Sequence, residues 1–190
     1  MDGLVRDDPG QSGLGGCIGD ILAEPALGTH IPGRQLDDDA AMLFKMASGA
    51  SGALIASQVC TGEENPLKIR VYGDKGALEW RQEEPASLIH RAFDQPLRIL
   101  RSGVGQPWLC AAATRRMRLP AGHPEGYLEA MANLYGDFAH AIRSHVEGPD
   151  APGVPGIETG LRGMAFIEAA VLNHRGDAKW TTVQTGASLL

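Results

Sequence analysis

Between Asp20 and Arg101 the apolar residues recur every second position in short runs, and beyond Pro124 the period lengthens to three and four. The first regime predicts strands and the second predicts helices. Ile21 to Leu27 is the first expected strand. Ala40 to Met46, with Met42, Phe44 and Met46 on one side, and Ala53 to Val59 flank the turn Ser48-Gly49-Ala50-Ser51-Gly52 and predict a hairpin. Leu67, Ile69 and Val71 alternate with Lys68, Arg70 and Tyr72 before Gly73-Asp74-Lys75-Gly76 turns the chain into Ala77 to Arg81. Ser87 to Phe93 and Leu97 to Arg101 form a third, weaker pair around Asp94-Gln95-Pro96.

Ser102 to Gly122 carries no period and reads as a long loop. Pro124 suits the first turn of a helix running to about Val146, with Leu128, Met131, Leu134, Tyr135, Phe138 and Ile142 as its apolar stripe and Gly148-Pro149 as its stop. A second helix is expected from Ile157 to Gly176, its stripe being Leu161, Met164, Ala165, Ile167, Val171 and Leu172. Lys179 to Val183 has the character of a last strand. Tight turns between consecutive strands imply antiparallel pairing. The expected fold is therefore α+β: a mostly antiparallel sheet of about six or seven strands, two helices packed on one face, and the open face available for dimerisation.

Composition narrows the function classes. At 190 residues and 43% hydrophobic, the chain supports one core, expected over residues 20–183. The glycine-rich residues 1–19 read as a flexible N-terminal segment and 184–190 as a frayed tail. A formal net charge of -6 argues against nucleic acid or an anionic membrane as partner. The basic cluster Arg115, Arg116 and Arg118 reads as a solvated loop. No apolar run reaches the roughly 20 residues of a membrane span, so a cytoplasmic protein is expected. Cys17, Cys60 and Cys110 are odd in number and widely spaced, which points to neither disulfides nor zinc. Gly13-Leu14-Gly15 begins a dinucleotide-loop pattern, but Ile18 stands where the third glycine belongs and no strand precedes it.

Three ordered stretches, Pro32-Gly33-Arg34-Gln35-Leu36-Asp37-Asp38-Asp39-Ala40, Ile69 to Trp80, and Gly122-His123-Pro124-Glu125-Gly126-Tyr127-Leu128-Glu129-Ala130, together resemble the C-terminal domain of the Gfo/Idh/MocA oxidoreductases. The resemblance implies an N-terminal Rossmann domain in full-length relatives, which bind NAD or NADP there, and a sugar or polyol pocket in this second domain. It also implies dimerisation through the open sheet face. The family's Glu-Lys-Pro motif is absent, the four lysines fall in strands or turns, and Glu24 stands where the Asp-x-x-x-His motif would place histidine. No catalytic, cofactor-binding or metal residue is therefore assigned, and dehydrogenase activity is not expected of the chain alone. The alternative is a non-catalytic assembly module that homo-oligomerises or docks on a separate Rossmann subunit.

The candidate substrate-binding residues are His123, Glu125 and Tyr127, which the resemblance places at the pocket rim, and Arg34. His123 equally suits a helix-capping role, and Glu125 in a first helical turn is favoured by the helix dipole alone. Asp37, Asp38 and Asp39 read as a solvated turn. His140 and His145 do not share a helix face closely enough for a metal pair, and Gln58 and His90 read as exposed sheet positions.

Overall fold

The computed structural model describes residues 18–144 and 154–184. The expected N-terminal segment and tail lie almost wholly outside these residues, as do Cys17, His145, Val146 and the Gly148-Pro149 helix stop. Two compact units divide the chain: Met1–Thr61 with Pro155–Leu190, and Gly62–Val154.

The first unit holds strands β1 (Ile18–Gly28), β2 (Asp39–Met46) and β3 (Ser51–Ser57), helix α3 (Ile157–Arg175) and strand β8 (Trp180–Thr182). They form a four-stranded sheet in the order β3-β2-β1-β8, antiparallel throughout. The second unit contains β4 (Lys68–Gly73), β5 (Gly76–Arg81), β6 (Ser87–Ala92) and β7 (Arg98–Arg101), a meander in the order of the chain. A single-turn helix, α1 (Ala111–Thr114), and a long one, α2 (Tyr127–Ser144), follow.

The expected hairpins are all present, but the expected single sheet of six or seven strands is two four-stranded sheets. Alternation and turn chemistry specify which strands pair across a tight turn. They carry no information on pairing across the longer 58–67 link, and β3 and β4 end as edges of different sheets. The part of the 102–122 loop at Ala111-Ala112-Ala113 closes into the single turn α1.

Helix α3 packs against β1 and β8, as the two-layer rule requires. Its buried face is Ala165, Ala169, Ala170 and Asn173, lying on Met42 and Val183, with Ala40 and Phe166 at the margin. The stripe expected from bulky residues is displaced: Leu172 is 65% exposed and Ala169 only 4%. Small side chains let the helix approach the sheet closely, so the alanines face it and Leu161, Met164 and Ile167 stay outside. Asn173 ties the arrangement together, its Nδ2 donating to the Ala178 carbonyl at 3.0 Å and to Thr181 Oγ1 at 2.8 Å. In α2 the residues Leu128, Leu134, Tyr135, Phe138 and Ile142 are likewise exposed. Its expected stripe therefore does not bury against the strands of its unit, which corrects the picture of two helices covering one sheet face.

No helix among the described residues is long and apolar enough to cross a membrane.

Candidate functional site

The site begins where the chain enters α2. Gly122, at φ 92°, makes a left-handed bend that a residue with Cβ adopts only at a cost. His123 follows, its backbone N–H donating to the Pro120 carbonyl at 3.2 Å and its Nδ1 lying 3.3 Å from the same oxygen. A carbonyl only accepts, so Nδ1 is the donor in this contact. His123 and Tyr127 are both exposed.

The helix starts at Tyr127 rather than at Pro124. The Gly126 N–H, one of the donors that no helical carbonyl reaches, donates instead to Glu129 Oε2 at 2.8 Å. That N–H first, then the backbone N–H of Glu129 itself and the Arg118 charge, hold the Glu129 carboxyl below its ordinary range against the effect of desolvation. Glu125 turns the other way. Its Oε1 accepts the backbone N–H groups of Arg118 and Leu119, both at 2.7 Å, and fastens the preceding loop to the helix start. Its Oε2 is buried without a hydrogen-bond partner.

Below this entry, a cleft of about 340 Å³ runs between the 115–118 segment and one side of α2. Arg116 spans it, pairing with Asp137 at 2.5 Å and donating to the Ala112 carbonyl at 2.9 Å. Arg118 Nη2 donates to Asn133 Oδ1 at 2.7 Å, and Arg115 and His140 also line the cleft. The arginine cluster expected to be merely solvated thus builds one wall of a polar recess.

His123, Glu125 and Tyr127 lie at the entry of α2, and Arg34 lies in the first unit. Arg34 pairs there with Asp38 at 3.8 Å. Asp38 itself corrects the reading of a solvated acidic turn: it is buried and accepts the backbone N–H groups of His30 at 2.9 Å and Ile31 at 3.2 Å. The His30 N–H, ahead of the Ile31 N–H and the His30 and Arg34 charges, lowers its pKa against desolvation. Cys60 and Cys110 are free and exposed. No group of three or more metal-ligating side chains occurs among the described residues.

One cluster escaped the sequence reading. Glu79, on β5, has a fully covered side chain with Arg70 of β4 on one oxygen and Arg81 on the other, at 2.6 and 2.7 Å. Arg91 of β6 reaches Oε2 at 3.0 Å and Lys68 lies 3.7 Å from Oε1. These cations are themselves half exposed, so they form the cover, and Glu79 sits just beneath an open sheet face. Arg81 and Arg70, as hydrogen-bond donors, outweigh desolvation and hold its pKa at about 2. The signal was present in the register. The turn that pairs Gly73 with Gly76 also pairs Arg70 with Glu79.

Residues 15–79 match the GFO/IDH/MocA C-terminal domain. Over these residues the chain resembles a C-terminal domain of the GFO/IDH/MocA family. Over 149 residues it is 32% identical to an uncharacterized oxidoreductase, YfiI, of Bacillus subtilis, covering 76% of this chain and 37% of the relative. An oxidoreductase from Sinorhizobium meliloti is 39% identical, with a TM-score of 0.76 over 85% of this chain and 45% of that one. An inositol dehydrogenase homolog from Azotobacter vinelandii, crystallised with NADH and myo-inositol, is 31% identical, with a TM-score of 0.75 over 87% of this chain and 44% of that one. The chain therefore spans less than half the length of each of these relatives.

Proposed function

We propose that this domain is the substrate-holding and oligomerisation part of an NAD(P)-dependent sugar or polyol oxidoreductase and has no dehydrogenase activity by itself. The observation that carries the reading is the likeness, over most of the chain, to a relative whose crystals contain NADH and myo-inositol. The functional domain is residues 20–183, flanked by 1–19 and 184–190. At its α2 entry, the exposed His123 ring and Tyr127 hydroxyl hydrogen-bond the ligand's hydroxyls, and Glu125, whose carboxylate fastens the Arg118-Leu119 loop, shapes the rim. Arg34 is the remaining substrate-binding candidate. NAD or NADP is supplied by a Rossmann domain, within the same polypeptide in full-length relatives or as a separate subunit.

Two titrations test this. Added myo-inositol should shift the NMR signals of His123 and Tyr127 and leave those of α3 unmoved. NADPH fluorescence should be unchanged by the 190-residue chain, and tight cofactor binding by that chain would sink the claim.

A specific observation also favours assembly through the first sheet. Opposite the α3 face, Leu43 and Ile55 are 55% and 78% exposed, an apolar pair on an uncovered sheet. The reading is a homo-oligomer through this face, and a strictly monomeric mass at micromolar concentration contradicts it.

A further inference from the structure

The second sheet carries a concentration of positive charge at odds with the acidic chain around it. Lys68, Arg70, Arg81 and Arg91 surround Glu79 within 3.7 Å, leaving three positive charges in excess on one sheet face of a protein whose formal net charge is -6. Antiparallel pairing places Tyr72, Ala77 and Arg91 in one row across that face, next to the row of Arg70 and Glu79. A depression of about 190 Å³ lies there, lined by Arg70, Tyr72, Ala77, Leu78 and Arg91.

Glu79 consumes only part of the donor capacity around it. Arg70 spends Nε and Nη2 on Oε2, and its Nη1 lies 3.5 Å from the Tyr72 hydroxyl. Arg91 spends Nη1 and keeps Nε and Nη2. A carboxylate shared in this way locks the guanidinium planes before any ligand arrives, so little side-chain entropy is lost on binding. The free Arg91 fork, the Arg70 Nη1 and a phenol around a small hollow match the charge and geometry of a compact oxyanion.

We infer that the depression between Arg70, Tyr72 and Arg91 is a binding site for a compact dianion with oxygen donors, a phosphate or a dicarboxylate, with Glu79 as the buried group that positions the arginines. Arg91 and Tyr72 contact the ligand, and Glu79 acts through Arg70 and Arg91. The site is separate in chemistry from the hydroxyl-binding entry of α2, and its test is independent of polyol or cofactor binding.

The experiment titrates inorganic phosphate and, separately, succinate into the 190-residue chain at low salt, reading calorimetric heats and the arginine Nε–Hε resonances. One saturable site is expected, with the Arg70 and Arg91 signals moving together, and the arm that binds more tightly identifies the phosphate or the carboxylate source. Arg91→Gln should weaken binding by at least about tenfold, the loss of a charge-assisted donor pair. Tyr72→Phe leaves all the ion pairs of Glu79 in place and should weaken it about threefold, which keeps the test valid if the arginine variant unfolds. Arg118→Gln, in the α2 cleft, should bind like the parent. The inference is overturned if neither anion saturates, if binding survives both site variants, or if it is lost only in Arg118→Gln.

Discussion

The two sheets of this domain are built from the same element, the antiparallel hairpin, and are held by opposite means. Under the first sheet lies a small hydrophobic cluster in which α3 contributes alanines to Met42 and Val183. On the second, the only large side chain that is fully covered is a carboxylate, Glu79, enclosed by cations from three adjacent strands. The difference teaches how position fixes the role of a charge. Lys45 on the first sheet lies 4.5 Å from the Trp180 ring and can leave it at little cost. The cations around Glu79 cannot leave without uncovering a charge they neutralise.

Overpacking is the strongest way to break the first half of the contrast. Ala169→Leu forces side-chain volume between α3 and the sheet and should cost about 2–3 kcal/mol in chemical denaturation. Amide protection should fall in β1 to β3 first. Asn173→Ala comes next, at about 1–2 kcal/mol, because the Ala178 carbonyl and Thr181 hydroxyl lose their donor; a thermal melt that leaves the midpoint unchanged would contradict the role given to Asn173.

Acid addresses the second half. The folded pKa of Glu79 is about 2 against an ordinary 4.5, so the stability it supplies is complete above 4.5 and is lost as pH falls toward 2. Amide protection in β4 to β7 should decline across that window, and Glu79→Gln should flatten the decline. Asp38, also lowered, should loosen the Gly28–Asp38 loop as acid protonates it below its ordinary range, while β2 and β3 hold. The smallest effect sharpens the contrast rather than testing either half: Lys45→Gln should cost no more than about 0.5–1 kcal/mol.

Much of this was legible in the residues. All eight strand segments and both long helices were readable from period and punctuation, because alternation and the 3.6-residue repeat are local properties of the backbone. Gly76 was legible as a turn residue, and the structure adds the reason it stays glycine: at φ 155° a Cβ there would meet the Arg91 carbonyl oxygen and Ala92. His123, Glu125 and Tyr127 were singled out through the family resemblance, and the anchoring of the Arg118-Leu119 loop by Glu125 depends on a loop path that neither resemblance nor spacing encodes.

The sequence by itself determined where the chain pairs with its neighbours, since a tight turn leaves one register open to a hairpin. Only the tertiary structure decided that the hairpins divide into two sheets, that alanines rather than leucines of α3 face inward, and that Glu79 is enclosed. Each of these depends on which surface arrives against an element from far along the chain, and the free energy of burial belongs to that meeting, not to either segment alone.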